Sequence, residues 1–142
     1  MKQSKGTAEW NGGLKDGKGV FSVGSGAISG APYSFGTRFG EDKGTNPEEL
    51  IAASHAACFS MALSAQLGER GMTPESVQTT ATVTLDKTDS GFGINQSHLE
   101  VVARIPGADA AKFEEAAQAA KKGCPISKLL KTEITMNARL EG

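Results

Sequence analysis

Residues 46–71, NPEELIAASHAACFSMALSAQLGERG, predict the longest helix of the chain. Asn46 is a preferred helix-capping residue, Pro47 suits the first helical position, and the two glutamates that follow complement the positive end of the helix dipole. No helix breaker occurs before Gly68 or Gly71, so the helix would be roughly 33–36 Å long at 1.5 Å per residue. Because alanine, leucine, isoleucine and methionine occur nearly all round it, we predict a central, buried helix.

Shorter elements are predicted on both sides of this helix. Strand-like segments at residues 7–11 and 19–23 flank a glycine-rich turn, and residues 33–39 alternate in a way that predicts a short strand carrying Arg38. After the long helix, periodicity and capping residues predict a hairpin, a second helix, a single helical turn and a last strand at residues 77–105, 109–123, 124–130 and 134–140. This order of elements predicts an α+β fold, with residues 1–142 forming a single domain.

Composition and charge exclude several classes of protein. The chain has 142 residues, of which 38% are hydrophobic and 22% charged, and its net charge is −1. Its basic and acidic side chains are mixed, so we expect neither a nucleic-acid partner nor a membrane surface as partner. The N-terminus lacks the apolar core of a signal peptide, and no window is expected to span a bilayer. A cytoplasmic location, where thiols are kept reduced, is therefore expected.

The two cysteines, Cys58 and Cys124, are the first candidates for chemistry. They form no CxxC motif, and with two isolated histidines they predict no metal site. They could be inert core residues, a structural disulfide or a reversible redox couple. Cys124 precedes Pro125 at a helix start, where the dipole favours a thiolate, whereas burial in mid-helix disfavours a charged Cys58. Residue chemistry alone thus favours Cys124 as the reactive cysteine, and Cys58 would need a neighbouring cation.

A histidine near Cys58 permits another interpretation. His55 lies three residues before Cys58, so a Cys–His nucleophile pair, as in a thiol hydrolase, can be drawn. A histidine packed inside a helical core is the commoner arrangement. A non-enzymatic, stress-related binding protein with structural cysteines is a further alternative.

Three motifs are similar to those of a known family. The segments PYSFGTRF at 32–39, KGTNPEELIAASHAACFSMAL at 43–63 and GCPISKLLK at 123–131 closely resemble the OsmC (osmotically inducible protein C) family, in order and at the right spacing. The resemblance implies an OsmC-like fold, with antiparallel sheets around a long central helix, and an intertwined homodimer with composite active sites. It also implies a thiol-dependent peroxidase that reduces organic hydroperoxides and, less efficiently, hydrogen peroxide. The resemblance implies no cofactor or metal. It does imply an external dithiol or lipoyl-type reductant.

The resemblance assigns four site residues. Cys58 in AACF matches the family's peroxidatic cysteine, and Cys124 in GCP matches its resolving cysteine. Glu48 in NPEE matches the active-site glutamate. Arg38 in TRF matches the arginine of the OsmC branch. The related organic hydroperoxide resistance branch takes its arginine from an earlier loop, which here reads GGLKDGKG, so the OsmC branch is expected.

These assignments predict how the residues act together. Arg38 would stabilise the Cys58 thiolate and orient the peroxide, while Glu48 would hold Arg38 in place. Taken without the resemblance, Glu48 is more simply a dipole-compensating residue, and Arg38 a solvated surface charge. Glu48 and Cys58 are ten residues apart, roughly 15 Å along a straight helix, so the glutamate would not reach Cys58 of its own chain. This spacing predicts either a bent helix or a glutamate supplied by a partner subunit.

Overall fold

The computed structural model describes all of residues 1–142. In chain order, the elements are β1 Gly6–Asn11, β2 Lys18–Val23, β3 Ala31–Tyr33, α1 Phe35–Phe39, α2 Pro47–Glu69, β4 Ser76–Thr88, β5 Gly91–Arg104, α3 Ala110–Gly123, α4 Pro125–Leu129 and β6 Glu133–Glu141. The chain divides into two compact units, Met1–Leu50 and Ile51–Gly142, and α2 starts in the first and continues in the second. The predicted α+β fold, with two small sheets and one long helix, is confirmed.

The first unit contains an antiparallel sheet of β1, β2 and β3. The rings of Trp10 and Phe21 pack against Tyr33, with centroids 5.4 and 5.5 Å away. Gly19 lies between Trp10 and Tyr33 in the strand register, and a Cβ there would come within 2.6 Å of the Trp10 ring. The close ring packing therefore requires glycine at this position. The first two predicted strands are confirmed.

The second unit contains a mixed sheet and most of the core. The predicted hairpin of β4 and β5 is antiparallel, and β6 joins it parallel to β5. Parallel pairing requires a crossover connection, which α3 and α4 supply. The core combines one face each of α2, β5 and α3: Phe59, Leu63, Leu67, Leu99, Val101, Ala103, Ile105, Phe113, Ala116, Ala117 and Ala120. The predicted second helix and last strand are confirmed.

Helix α2 begins as predicted but is buried on one face only. The Asn46 side chain caps it by accepting a hydrogen bond from the Glu49 backbone N–H at 2.8 Å. Side chains spaced four residues apart, from His55 to Leu67, are fully buried, whereas Ala57 and Met61 are exposed, Met61 by 80%. The prediction of burial all round was therefore wrong for the single chain. An apolar composition indicates that a helix face is buried, but it does not indicate whether the same chain or another chain buries it.

The length and composition of α2 also contradict the expectation that no window could span a bilayer. Pro47–Glu69 contains an 18-residue window of mean hydropathy 1.4, which meets the length and composition of a membrane span. A single helix of this kind does not by itself indicate a membrane span, because the core helix of a soluble protein has the same length and composition. The fully buried stripe from His55 to Leu67 gives α2 the character of such a core helix.

The segment that carries Arg38 is helical, so the prediction of a strand there was wrong. The strand β3 ends at Tyr33, and Phe35–Phe39 forms the short helix α1. Ser34 and Thr37 form a capping box, in which each side chain bonds the other residue's backbone N–H, at 3.3 and 2.9 Å. This local hydrogen bonding outweighs the alternation of aromatic residues, since it satisfies two of the N–H groups that have no partner within the helix at its start.

Candidate active site

The two cysteines meet inside the second unit. The sulfur atoms of Cys58, in α2, and Cys124, at the start of α4, lie 2.8 Å apart, and the two free thiols share a hydrogen bond. Cys58 is half-buried, whereas Cys124 is fully buried. A small molecule can therefore reach Cys58 more easily than Cys124. This difference in access favours Cys58 as the attacking thiol, against the preference drawn from helix position alone.

The surroundings of Cys58 do not by themselves favour a thiolate. Burial, and after it the hydrogen bond and charge interaction with Cys124, raise the pKa of the Cys58 thiol. The backbone N–H of Ile126 has the opposite effect and lowers that pKa, because it can donate to a negative sulfur. These influences leave the thiol protonated at neutral pH. A cation beside the sulfur is what a reactive Cys58 still requires.

Cys124 is held by the backbone on both of its sides. It is the C-cap of α3, where its N–H donates to the Ala120 carbonyl at 2.9 Å, and it is also the N-cap of α4. Pro125 occupies the first turn of α4 and lacks an N–H, as expected at that position. The Cys124 side chain makes no capping hydrogen bond, so its sulfur remains directed to Cys58.

Arg38 and Glu48 form an ion pair inside the first unit. Glu48 Oε1 accepts from Arg38 Nη2 at 2.7 Å and from Nε at 3.0 Å, and Oε2 lies 3.3 Å from Nε. The Glu48 side chain is 9% exposed and that of Arg38 is 38% exposed. The pair uses Nε and Nη2, so Nη1 is left for a further acceptor. A planar guanidinium fixed in this way presents a positive charge in a defined direction.

Neighbouring residues position this ion pair. The capping box of Ser34 and Thr37 fixes α1, which carries Arg38. The Asn46 amide donates to the Thr37 carbonyl at 2.9 Å while its oxygen caps α2, which carries Glu48. One side chain therefore connects the two short segments that hold the pair.

A cleft of about 250 Å³ adjoins Arg38 in the first unit. The residues that line it are mostly aromatic or aliphatic: Trp10, Leu14, Tyr33, Ser34, Phe35, Arg38 and Phe39. Arg38 also lies over the Phe39 ring, with Cζ 5.2 Å from its centroid. The cleft thus combines an apolar wall with one cationic group, which suits a small organic molecule that has a polar end.

The chain is similar to proteins of one known family. The family described as OsmC-like protein matches residues 40–139. Peroxiredoxin OsmC of Escherichia coli is 55% identical over 137 residues, which are 96% of each chain. The chain belongs to the OsmC family.

Relatives in the organic hydroperoxide resistance branch are less similar than this OsmC protein. Organic hydroperoxide resistance protein-like 2 of Staphylococcus epidermidis is 34% identical over 72% of this chain and 70% of its own. The crystal structure of the organic hydroperoxide resistance protein OhrB of Bacillus subtilis superposes with a TM-score of 0.70 at 28% identity, covering 99% of this chain and 98% of that chain. The membership predicted from the three motifs is confirmed.

In this OsmC family member, the side chains of Cys58 and His55 do not form a pair. His55 is fully buried, and its ring nitrogens contact two serine hydroxyls: Nδ1 lies 2.7 Å from Ser97 Oγ and Nε2 lies 2.8 Å from Ser127 Oγ. Burial lowers the pKa of His55 and keeps the ring neutral. Both nitrogens contact serines and neither is hydrogen-bonded to Cys58, so the ring is not placed to act as the base of a thiol hydrolase.

Several residues of the site were not predicted from the sequence. Ser97 and Ser127 were missed because they meet His55 from 42 and 72 residues away. The Ile126 N–H was missed for the same reason. The capping box could have been found, since the spacing of Ser34 and Thr37 before Arg38 is a local signal for a helix start.

Proposed function

We propose that Cys58 reduces organic hydroperoxides and that Cys124 resolves the oxidised product. The chain is a cysteine-based peroxidase that acts through thiol chemistry, as its similarity to Peroxiredoxin OsmC supports. The observation that carries the assignment of residues is the 2.8 Å separation between an accessible Cys58 sulfur and a buried Cys124 sulfur. Inert core cysteines need no such approach.

The reaction proceeds in three steps. The Cys58 thiolate attacks one peroxide oxygen, the O–O bond breaks, and the alkoxide takes a proton and leaves as the alcohol. The sulfur is oxidised to a sulfenic acid. Cys124 then attacks that sulfur, an S–S bond forms, and the hydroxyl group leaves as water. An external dithiol, of lipoyl type, reduces the disulfide by exchange, so no prosthetic group takes part.

Arg38 supplies the cation that Cys58 requires. Its guanidinium stabilises the thiolate and, through Nη1, the developing charge on the peroxide oxygen. Glu48 holds that group in orientation through the contacts of Nε and Nη2. The organic part of the hydroperoxide occupies the apolar cleft beside Arg38.

The active form is a homodimer with composite sites. The exposed side of α2, with Ala57 and Met61, offers an apolar surface to a second copy of the chain. Glu48 lies roughly 15 Å before Cys58 along a helix, which supports a site that combines residues of two subunits. Residues 1–142 act as a single domain, and the protein works in the cytoplasm, where dithiol reductants are present.

Steady-state turnover tests this function. Wild type should consume cumene hydroperoxide with dihydrolipoamide, and should consume hydrogen peroxide more slowly. Cys58→Ser should abolish turnover, and Cys124→Ser should stop it after one oxidation because no disulfide can form. A binding protein with structural cysteines would show no turnover in the wild type, and unchanged turnover in Cys58→Ser would contradict the assigned nucleophile.

A further inference from the structure

The buried histidine of α2 lies in the same helical turn as Cys58. His55 precedes Cys58 by three residues, and Ser127 follows Cys124 by three residues. His55 contacts Ser127 at 2.8 Å, and Cys58 contacts Cys124 at 2.8 Å. Two contacts therefore join α2 to α4 and its N-cap residue, and they are three residues apart, about 4.5 Å along a helix, on each side.

The element that carries Ser127 depends on its neighbours for its position. The helix α4 is five residues long, and Ser127 is its buried residue. A helix of this length has almost no stability of its own, so its position depends on contacts with its neighbours. The hydroxyl of Ser127 is a polar contact that fixes α4 against α2, one turn away from the sulfur atoms.

The opposite side of the His55 ring is fixed as well. Nδ1 contacts Ser97 Oγ on β5 at 2.7 Å, so the ring cannot turn without breaking a buried hydrogen bond. A neutral imidazole has one donor and one acceptor nitrogen, and each serine hydroxyl can supply the complementary role. The chain from Ser97 through His55 to Ser127 thus connects the sheet, the long helix and α4 with every buried polar atom satisfied.

We propose that His55 and Ser127 are positioning residues for the resolving step, a role that rests on the proposed peroxidase function. Their hydrogen bond keeps the Cys124 sulfur beside Cys58 after Cys58 has become a sulfenic acid. Cys124 then attacks, the S–S bond forms, the S–O bond breaks, and water leaves before a second peroxide can react. Loss of the contact lowers the rate of disulfide formation. It does not change the rate of the first oxidation, which depends on Cys58 and its cation.

The first test compares Ser127→Ala with Ser60→Ala. Ser60 is a matched control, because it lies on α2, as His55 does, and its hydroxyl makes a hydrogen bond of 2.7 Å to Thr79 on β4 and not to a residue of α4. After one equivalent of cumene hydroperoxide, Ser127→Ala should form the disulfide about five- to tenfold more slowly, the change that loss of one ordinary hydrogen bond produces. It should also accumulate sulfenic acid trapped by dimedone, and sulfinic acid with excess peroxide. Ser60→Ala should match the wild type.

The second test uses the histidine itself, and applies even if Ser127→Ala fails to fold. An asparagine amide can replace Nδ1 and contact Ser97, whereas a glutamine amide can replace Nε2 and reach Ser127. His55→Asn should therefore resolve slowly and His55→Gln should resolve nearly as the wild type does. Two variants with equal disulfide rates, or a wild-type rate in Ser127→Ala, would overturn the proposal.

A readout without peroxide separates this proposal from the proposed function. In glutathione redox buffers, the Cys58–Cys124 disulfide should form less readily in Ser127→Ala than in the wild type, by about the same five- to tenfold factor, because the effective concentration of the two thiols falls. This result is expected even if wild type fails to consume hydroperoxides, in which case the peroxidase function alone is wrong. An unchanged equilibrium would contradict the positioning role.

Discussion

The sulfur atoms of Cys58 and Cys124 lie 2.8 Å apart, although 66 residues separate them in the chain. A disulfide requires about 2.05 Å, so only a small movement separates the reduced pair from the bonded one. Cys124 is placed there by its position between α3 and α4, and Cys58 by the buried face of α2. The fold thus holds the two thiols close enough to form a disulfide with little movement.

The guanidinium of Arg38 should decide whether Cys58 is reactive. Because burial raises the pKa of the Cys58 thiol, we expect Arg38→Met to slow hydroperoxide consumption on the order of 100-fold. The same variant should raise the Cys58 pKa further, as measured by the pH dependence of its alkylation. Arg70→Met is the control, since Arg70 also forms an ion pair, with Glu115 at 3.1 Å. Equal rates in wild type and Arg38→Met would mean that another cation serves Cys58.

The carboxylate of Glu48 should matter through the orientation of Arg38. Glu48→Gln loses the charge and one of the acceptor atoms of the pair, so we expect roughly a tenfold loss of kcat/KM, smaller than that of Arg38→Met. The neighbouring Glu49→Gln is the matched control, because Glu49 is exposed at the same helix start. It should retain full activity. Similar losses in both variants would indicate a general effect on the start of α2.

The exposed face of α2 should form the contact between two copies. Met61 is 80% exposed in the single chain, and Met61→Arg would place a charge in the apolar contact. We expect this variant to sediment as a monomer with a native far-ultraviolet spectrum and to lose most of its activity. Gln118→Arg, on the exposed side of α3, should remain dimeric and active. A dimeric and active Met61→Arg would place the interface elsewhere.

Buried His55 should make the stability of the fold depend on pH. Burial lowers the pKa of His55 in the folded chain below the 6.5 of an ordinary histidine. The unfolded chain therefore takes up a proton first, and the stabilisation is complete above pH 6.5 and decreases as the pH falls. Between pH 7.5 and 5.5 we expect a loss of roughly 1 kcal/mol in the free energy of unfolding.

Urea unfolding at these two pH values measures the effect. His55→Gln should show less of this loss than the wild type. A wild-type free energy of unfolding that rises on acidification through this range would contradict a buried, neutral His55.

The parts of the fold that could be predicted are those with local signals. Asn46 and Asp109 cap the two long helices as expected, since capping depends on residues within one turn. Parallel pairing of β6 with β5 could not be predicted, because alternation shows which residues share a face but not which strand lies beside them.

Less of the site than of the fold could be predicted from the sequence. The proximity of Cys58 and Cys124 was expected from the family resemblance and not from spacing, since helix position alone favoured Cys124 as nucleophile. Its burial, which reverses that preference, depends on packing among distant elements. The serine partners of His55 are equally non-local.

Disulfide mapping after a single oxidation tests the redox pairing most directly. Reduced protein is mixed with one equivalent of cumene hydroperoxide, digested without reductant and analysed by mass spectrometry. We predict one peptide pair joined through Cys58 and Cys124, and, in Cys124→Ser, a sulfenic acid on Cys58 in its place. Two unmodified thiols in wild type, or a first oxidation found on Cys124, would contradict it.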